Sequence, residues 1–222
     1  MTILDANVRS DLADAHRETI AVLGQAGDWL SSSERVALAE VTRAARGAAD
    51  QPPWYRPSSE GIEFAPLPSA AVDAAWRLTN HPGTLTAAWY EETVAQLPSP
   101  EYYVELVGVV AAVNSVDRFA VALDVDVLPL PEPTSGEPAR APSGGVVARH
   151  WVPTDPDLGG ANVLKALSIS PSARSLRERL IEVQYLPVDA LLGDMDWSRG
   201  TLDRRQIELV AAQTSFNNEC FY

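Results

Sequence analysis

An all-α fold follows from three observations. Apolar residues recur at helical spacing in one segment after another. A Ser-x-x-Glu capping box opens one of those segments. Two stretches dense in proline and glycine, 51–68 and 128–145, carry no periodicity and divide the helical segments into groups. The composition agrees with a folded domain: 46% of the 222 residues are hydrophobic, enough to build a sizeable core.

Taken in order, residues 4–25 place Val8, Leu12, Ala15, Thr19 and Leu23 on one face, with Gly24 as a stop. Ser31-Ser-Ser-Glu34 predicts the start of the next helix, because the serine oxygen and the glutamate carboxylate satisfy free N–H groups of the first turn; Val36, Leu38, Val41 and Ala45 follow on its inner face. Residues 51–68 hold Pro52, Pro53, Pro57, Pro66 and Pro68 and predict a long surface loop. From Ala70 the helical pattern resumes through Val72, Trp76 and Leu78, and Asn80-His81-Pro82 ends it. A helix over 84–96 turns Leu85, Trp89 and Val94 inward. Residues 101–113 are apolar almost all round and predict a helix buried on most of its surface, although a β-branched run of this kind also suits a strand. Asn114-Ser115 predicts a small break before the helix continues over 116–123. Short helices are expected over 161–167 and 173–184, loop over 186–200, and a last helix over 201–214.

A repeat underlies the division of the chain. Val104-Glu-Leu-Val-Gly108 matches Ile207-Glu-Leu-Val-Ala211 at an offset of 103 residues, and in the same register Asn114 matches Asn217 and Asp117 falls where Cys220 stands. The expectation is two tandem helical units: residues 1–127, a linker over 128–145, and a second unit over 146–222 that ends early.

The charge balance narrows the partners. A net charge of −13 and a pI near 4.6 argue against binding a phosphate backbone, where affinity comes from Lys and Arg. Residues 1–30 contain no unbroken apolar stretch of signal-peptide or membrane-spanning length, so the expectation is a cytoplasmic protein without a membrane partner. The single cysteine cannot form an internal disulfide.

That cysteine is the chemical focus. On one straight helix Glu208 and Cys220 would stand about 18 Å apart and roughly 120° out of phase. Asn217-Asn218 predicts a helix end between them, since asparagine tolerates left-handed backbone and competes for helical hydrogen bonds. Cys220 would then open a second helix, where the positive end of the macrodipole favours its thiolate, with Glu208 as proton partner. A buried, inert structural cysteine is the plain alternative. Other candidates are weaker. Asp194-Met-Asp196-Trp-Ser198-Arg-Gly200 fails as a calcium loop, because glycine falls at the seventh place and Arg205 stands where the bidentate acid belongs. His16, His81 and His150 have no metal-ligand spacing, and none is assigned a role. Glu105 reads as a buried acid paired with an arginine. Trp54, Trp76, Trp89, Trp151 and Trp197 read as core or loop anchors.

Leu202-Asp-Arg204-Arg-Gln-Ile-Glu208-Leu-Val-Ala211, followed by Asn217-Asn-Glu-Cys220-Phe-Tyr222, resembles the alkylhydroperoxidase AhpD and carboxymuconolactone decarboxylase family. Its pattern is a Leu-x-Arg-x-x-x-Glu-x-x-Ala helix, then Asn-x-Cys-x-x-Cys and a histidine. The resemblance implies reduction of hydroperoxides by a cysteine pair with a thiol reductant and no bound cofactor, in an oligomer of identical chains. Under it Cys220 is the resolving thiol and Glu208 the proton relay; the attacking thiol and the histidine are missing. The decarboxylase branch works without the pair but also expects the histidine. A non-catalytic helical interaction module needs only the packing of the two units. Because the sequence stops directly before the second cysteine's place, the expectation is a coding frame that continues into a helix bearing a histidine. A nonsense change, a UGA codon meant for selenocysteine, a shortened chain or an incomplete gene sequence would each leave this ending.

Overall fold

The computed structural model describes residues 1–47, 63–191, 193 and 195–217. The expected loop over 51–68 lies largely outside them, as do Trp54, Asp194, Asn218 and Cys220.

The structure is all-α apart from one small hairpin. The helices are α1 (Ser10–Ala21), α2 (Ser32–Gly47), α3 (Ser69–Asn80), α4 (Ala87–Val94), α5 (Pro100–Ala122), α6 (Asn162–Lys165), α7 (Pro171–Gln184), α8 (Val188–Leu191) and α9 (Arg204–Asn217). Two short strands, β1 (Ser198–Arg199) and β2 (Leu202–Asp203), pair antiparallel just before α9.

α5 is the centre. Ser99 caps it by accepting the Tyr102 N–H at 3.1 Å, Pro100 occupies the first turn, and the helix then runs 23 residues with buried side chains on nearly every side. α2, α3 and α7 pack around it. The capping box at the start of α2 forms as expected: Glu34 Oε2 accepts the Ser31 N–H at 2.8 Å and Ser31 Oγ accepts the Glu34 N–H at 3.3 Å. Glu34 Oε1 also accepts the Tyr102 hydroxyl at 3.0 Å, which ties the start of α2 to the start of α5. Leu12, Ala15, Thr19 and Leu23 are all buried where the spacing placed them.

Three local expectations change. Asn114-Ser115 does not interrupt α5; the helix is continuous because both side chains bond across to other elements rather than to their own backbone. The Asn114 amide donates to Thr79 Oγ1 at 3.2 Å, and the Ser115 hydroxyl donates to Gln184 Oε1 at 2.7 Å. The stretch read as loop over 186–200 contains α8 and β1. The fully buried side chains of α4 are Tyr90 and Thr93, while Trp89 and Val94 are half-buried against the core.

Residues 128–145 carry no helix, and they run as an extended strap along the first helices. Thr134 N–H donates to Gly24 O at 2.7 Å, Ser32 Oγ donates to Thr134 O at 2.6 Å, and Arg140 N–H donates to Asp28 O at 2.8 Å. Beyond the strap, α7 packs directly on α5 and α1. Gly108 makes the close approach possible: a Cβ there would stand 2.4 Å from the Ala173 Cβ, so only glycine fits on α5 at this crossing. Asp28, from the α1–α2 loop, accepts hydrogen bonds from Ser170 Oγ at 2.7 Å and Ser172 N at 2.8 Å and so supports the first turn of α7. Ile169, Leu176 and Leu180 belong to the same core cluster as Leu38, Val72 and Leu106. Among the described residues no helix is long and apolar enough to cross a membrane.

Candidate functional site

α9 presents two unlike faces. Arg204 and Ile207 are buried against the body, while Leu209, Val210 and Phe216 are 70%, 61% and 79% exposed. Glu208 lies beside the buried face. Its Oε2 accepts the Tyr185 hydroxyl at 2.6 Å and its Oε1 accepts Arg204 Nε at 2.6 Å. Arg204 is held in turn by the Ala190 carbonyl at 2.7 Å, which fixes the guanidinium so that it steers the carboxylate. The Tyr185 hydrogen bond, with help from Arg204, holds the Glu208 carboxyl below its usual range. Burial, reinforced by the neighbouring carboxylate, pushes the Tyr185 phenol up to about 12. At neutral pH the pair is therefore a phenol donating to an anion. The sequence offered Glu208 and its i−4 arginine as parts of one motif. Tyr185 lies 23 residues upstream, and no local pattern could have placed it there.

α9 runs to Asn217. That residue lines a cavity of about 700 Å³, mixed polar and apolar, whose walls also carry Asn114 and Arg118 from α5 and His81 from the end of α3. The matched asparagines of the repeat thus face one cavity. Cys220 lies outside the described residues.

The matched acids do not share an environment. Glu105 is fully buried on α5, where its Oε2 accepts the N–H groups of Trp29 at 2.7 Å and Leu30 at 3.2 Å, and Arg35 Nε stands 3.7 Å from its Oε1. Burial pushes its carboxyl up, against the pull of those backbone donors and Arg35. It pins the loop before α2, which is the buried acid with an arginine that the sequence suggested. Asp117, which falls where Cys220 does in the repeat, accepts Arg43 at 2.8 and 3.0 Å and Arg46 at 2.7 Å.

The histidines lie apart. His16 is buried between α1, α5 and α7, with its Nε2 2.8 Å from the Gln184 amide nitrogen. His81 lines the mixed cavity beside Asn114 and Asn217. His150 lies on the rim of a second, apolar cavity of about 430 Å³ between α3, α5 and residues 150–167. Among the described residues no three His, Cys, Asp or Glu side chains gather as a metal site would require.

No protein-family model, curated protein or solved structure matches the chain.

Proposed function

We propose that Cys220 and Glu208 form part of a thiol-based hydroperoxide-reducing site of the AhpD-like kind, in the second of two helical units. The observation that carries the reading is the Tyr185–Glu208–Arg204 network, a carboxylate fixed from two sides on the helix that leads to the cysteine. Under the resemblance Cys220 is the resolving thiol; with no second cysteine in this chain it has to take the attacking role itself, giving its proton to Glu208 as sulfur attacks the outer peroxide oxygen. The O–O bond breaks, and the alkoxide leaves with that proton as an alcohol: Cys–SH and ROOH become Cys–SOH and ROH. Held below its usual range, the Glu208 carboxyl is ionised at neutral pH and so is open to the thiol proton. The sulfenic acid then condenses with an external thiol, releasing water, because this chain contains no second cysteine. The setting is a reducing cytoplasm, and the partners are a hydroperoxide and a small dithiol.

Sulfenic acid on Cys220, trapped with dimedone and read by mass spectrometry, tests the reading. Labelling should depend on hydroperoxide, disappear in Cys220→Ser, and slow by about a hundredfold in Glu208→Gln, the low end of what a positioned proton-transfer group contributes. Steady-state turnover should be slow from this chain alone, because each cycle waits for the sulfenic acid to meet an external thiol. Oxidation at the rate of free cysteine, unchanged in Glu208→Gln, would remove the site.

One observation favours a second reading, a helical interaction module. Leu209 and Phe216, seven residues apart, lie on one exposed face of α9 beside Val210, and such a stripe is usually covered. A second copy of the chain is the occupant that fits the family resemblance. Leu209→Glu together with Phe216→Glu should then convert a concentration-dependent dimer to monomer in sedimentation, and a wild-type chain that is monomeric at millimolar concentration would exclude it.

A further inference from the structure

The apolar cavity of about 430 Å³ lies between two walls. One is the helical body, with Leu78 on α3 and Val104 and Val107 on α5; the other is the segment 150–167, with Val152, Val163 and Leu167. Hydrogen bonds fix that segment in place. Thr154 exchanges its N–H and C=O with Val146, each at 3.0 Å, Ser168 Oγ accepts the Asp155 N–H at 2.9 Å, and Arg177 donates to the Val163 carbonyl at 2.7 Å. Leu167 closes the segment with φ +65°, a left-handed backbone that a bulky side chain rarely adopts. Strain of this kind persists only where the surroundings impose it, and it gathers at ligand clamps.

The lining decides what the space can hold. Its polar side chains are Tyr103, His150, Thr154 and Asn162, and among the described residues no Asp, Glu, Lys or Arg contributes to it. Water filling the cavity, roughly 14 molecules at about 30 Å³ each, would find few partners on such walls. A charged ligand would meet no counter-charge there, and stripping its hydration would go uncompensated. The net charge of −13 adds to the exclusion of organic anions. An uncharged apolar molecule takes both walls out of water and leaves no group of its own unsatisfied.

We propose that this cavity binds an uncharged lipophilic molecule of roughly 10 to 15 heavy atoms, a size set by the same ~30 Å³ for each. The site rests on neither Cys220 nor Glu208.

Fluorescence titration with two naphthalene dyes tests it. N-phenyl-1-naphthylamine is neutral, and 8-anilinonaphthalene-1-sulfonate has the same skeleton with a sulfonate added; both brighten in apolar surroundings. With the dye fixed and the full chain titrated, the neutral dye should saturate with a dissociation constant below about 50 μM. The sulfonate should bind at least about tenfold more weakly, since its charge would be buried unpaired. Ala166→Trp, at an exposed position on the wall, should fill the space, and Val163→Asp, on the same wall at 49% exposure, should place a carboxylate against it. Each is expected to weaken the neutral dye at least about tenfold, and circular dichroism confirms that the variant is folded; loss of affinity in either folded variant supports the site. Another apolar surface open to the dye is the α9 stripe, and Leu209→Glu with Phe216→Glu should leave the affinity within about twofold. No saturation of the neutral dye up to about 200 μM chain, equal or tighter binding of the sulfonate, unchanged affinity in both cavity variants, or loss of binding in the α9 variant would each overturn the assignment.

Discussion

Asp117→Ala is expected to cost about 3 kcal/mol of stability, the lower end for removing one partner of a buried ion pair. Asp117 is completely buried on α5 and accepts three charge-assisted hydrogen bonds, two from Arg43 and one from Arg46. Without the carboxylate both guanidiniums would keep their positive charge in a site that hides about four-fifths of each side chain. Partial access of water to both arginines places the cost at the lower end. The damage would spread, since Arg43 also donates to the Leu128 carbonyl at 2.8 Å and so holds the start of the strap. For a chain of this length the loss corresponds to roughly 6–12 °C in Tm. Urea unfolding and thermal melts measure it, and a Tm within about 2 °C of wild type would show that the pair contributes little net stability.

The same residue shows where a sequence stops being readable. The repeat placed Asp117 opposite Cys220, which singled it out for the wrong reason: what defines it is two arginines more than 70 residues upstream on α2. Local signals survived intact. The Ser31–Glu34 box, the His81-Pro82 stop and the apolar face of α1 depend on neighbours within one or two turns, and they formed as the spacing dictates. Signals whose sign depends on tertiary partners did not transfer. Asn114 and Ser115 read as helix breakers because their side chains can compete for backbone hydrogen bonds, and Thr79 and Gln184 remove that competition. Residues 128–145 read as an inter-unit linker because proline and glycine exclude helix; exclusion of helix says nothing about packing, and Leu128 and Pro138 are buried. For the candidate site, Glu208 was legible from its spacing within α9. Tyr185, its strongest partner, was not, since a hydrogen bond between separate elements leaves no period in the chain.

His16 sets the second large effect, a selective loss of stability in acid. The ring is fully buried, edge-on to Phe119 with centroids 5.1 Å apart. Gln184 Oε1 accepts from Ser115, so the amide nitrogen faces His16 Nε2 at 2.8 Å, and in this assignment the ring nitrogen accepts. The proton of the neutral ring then sits on Nδ1, which has no partner among the described residues. A second proton would set two donors against each other in an apolar site, and burial accordingly lowers the pKa from 6.5 to about 4. Because the folded value is the lower one, the unfolded chain takes up the proton first as pH falls. The stabilising effect of a neutral His16 is complete above pH 6.5 and drains away between 6.5 and 4, by about 3 kcal/mol at the lower end. His16→Phe keeps the ring and cannot titrate. Carboxylates contribute the same background to both proteins, so the difference between their urea stabilities at pH 7, 6, 5 and 4 isolates the histidine. That difference should shift in favour of His16→Phe by about 3 kcal/mol from pH 7 to pH 4, whatever the absolute cost of the substitution. Parallel curves would mean that the buried ring is protonated as readily in the folded chain as in the unfolded one.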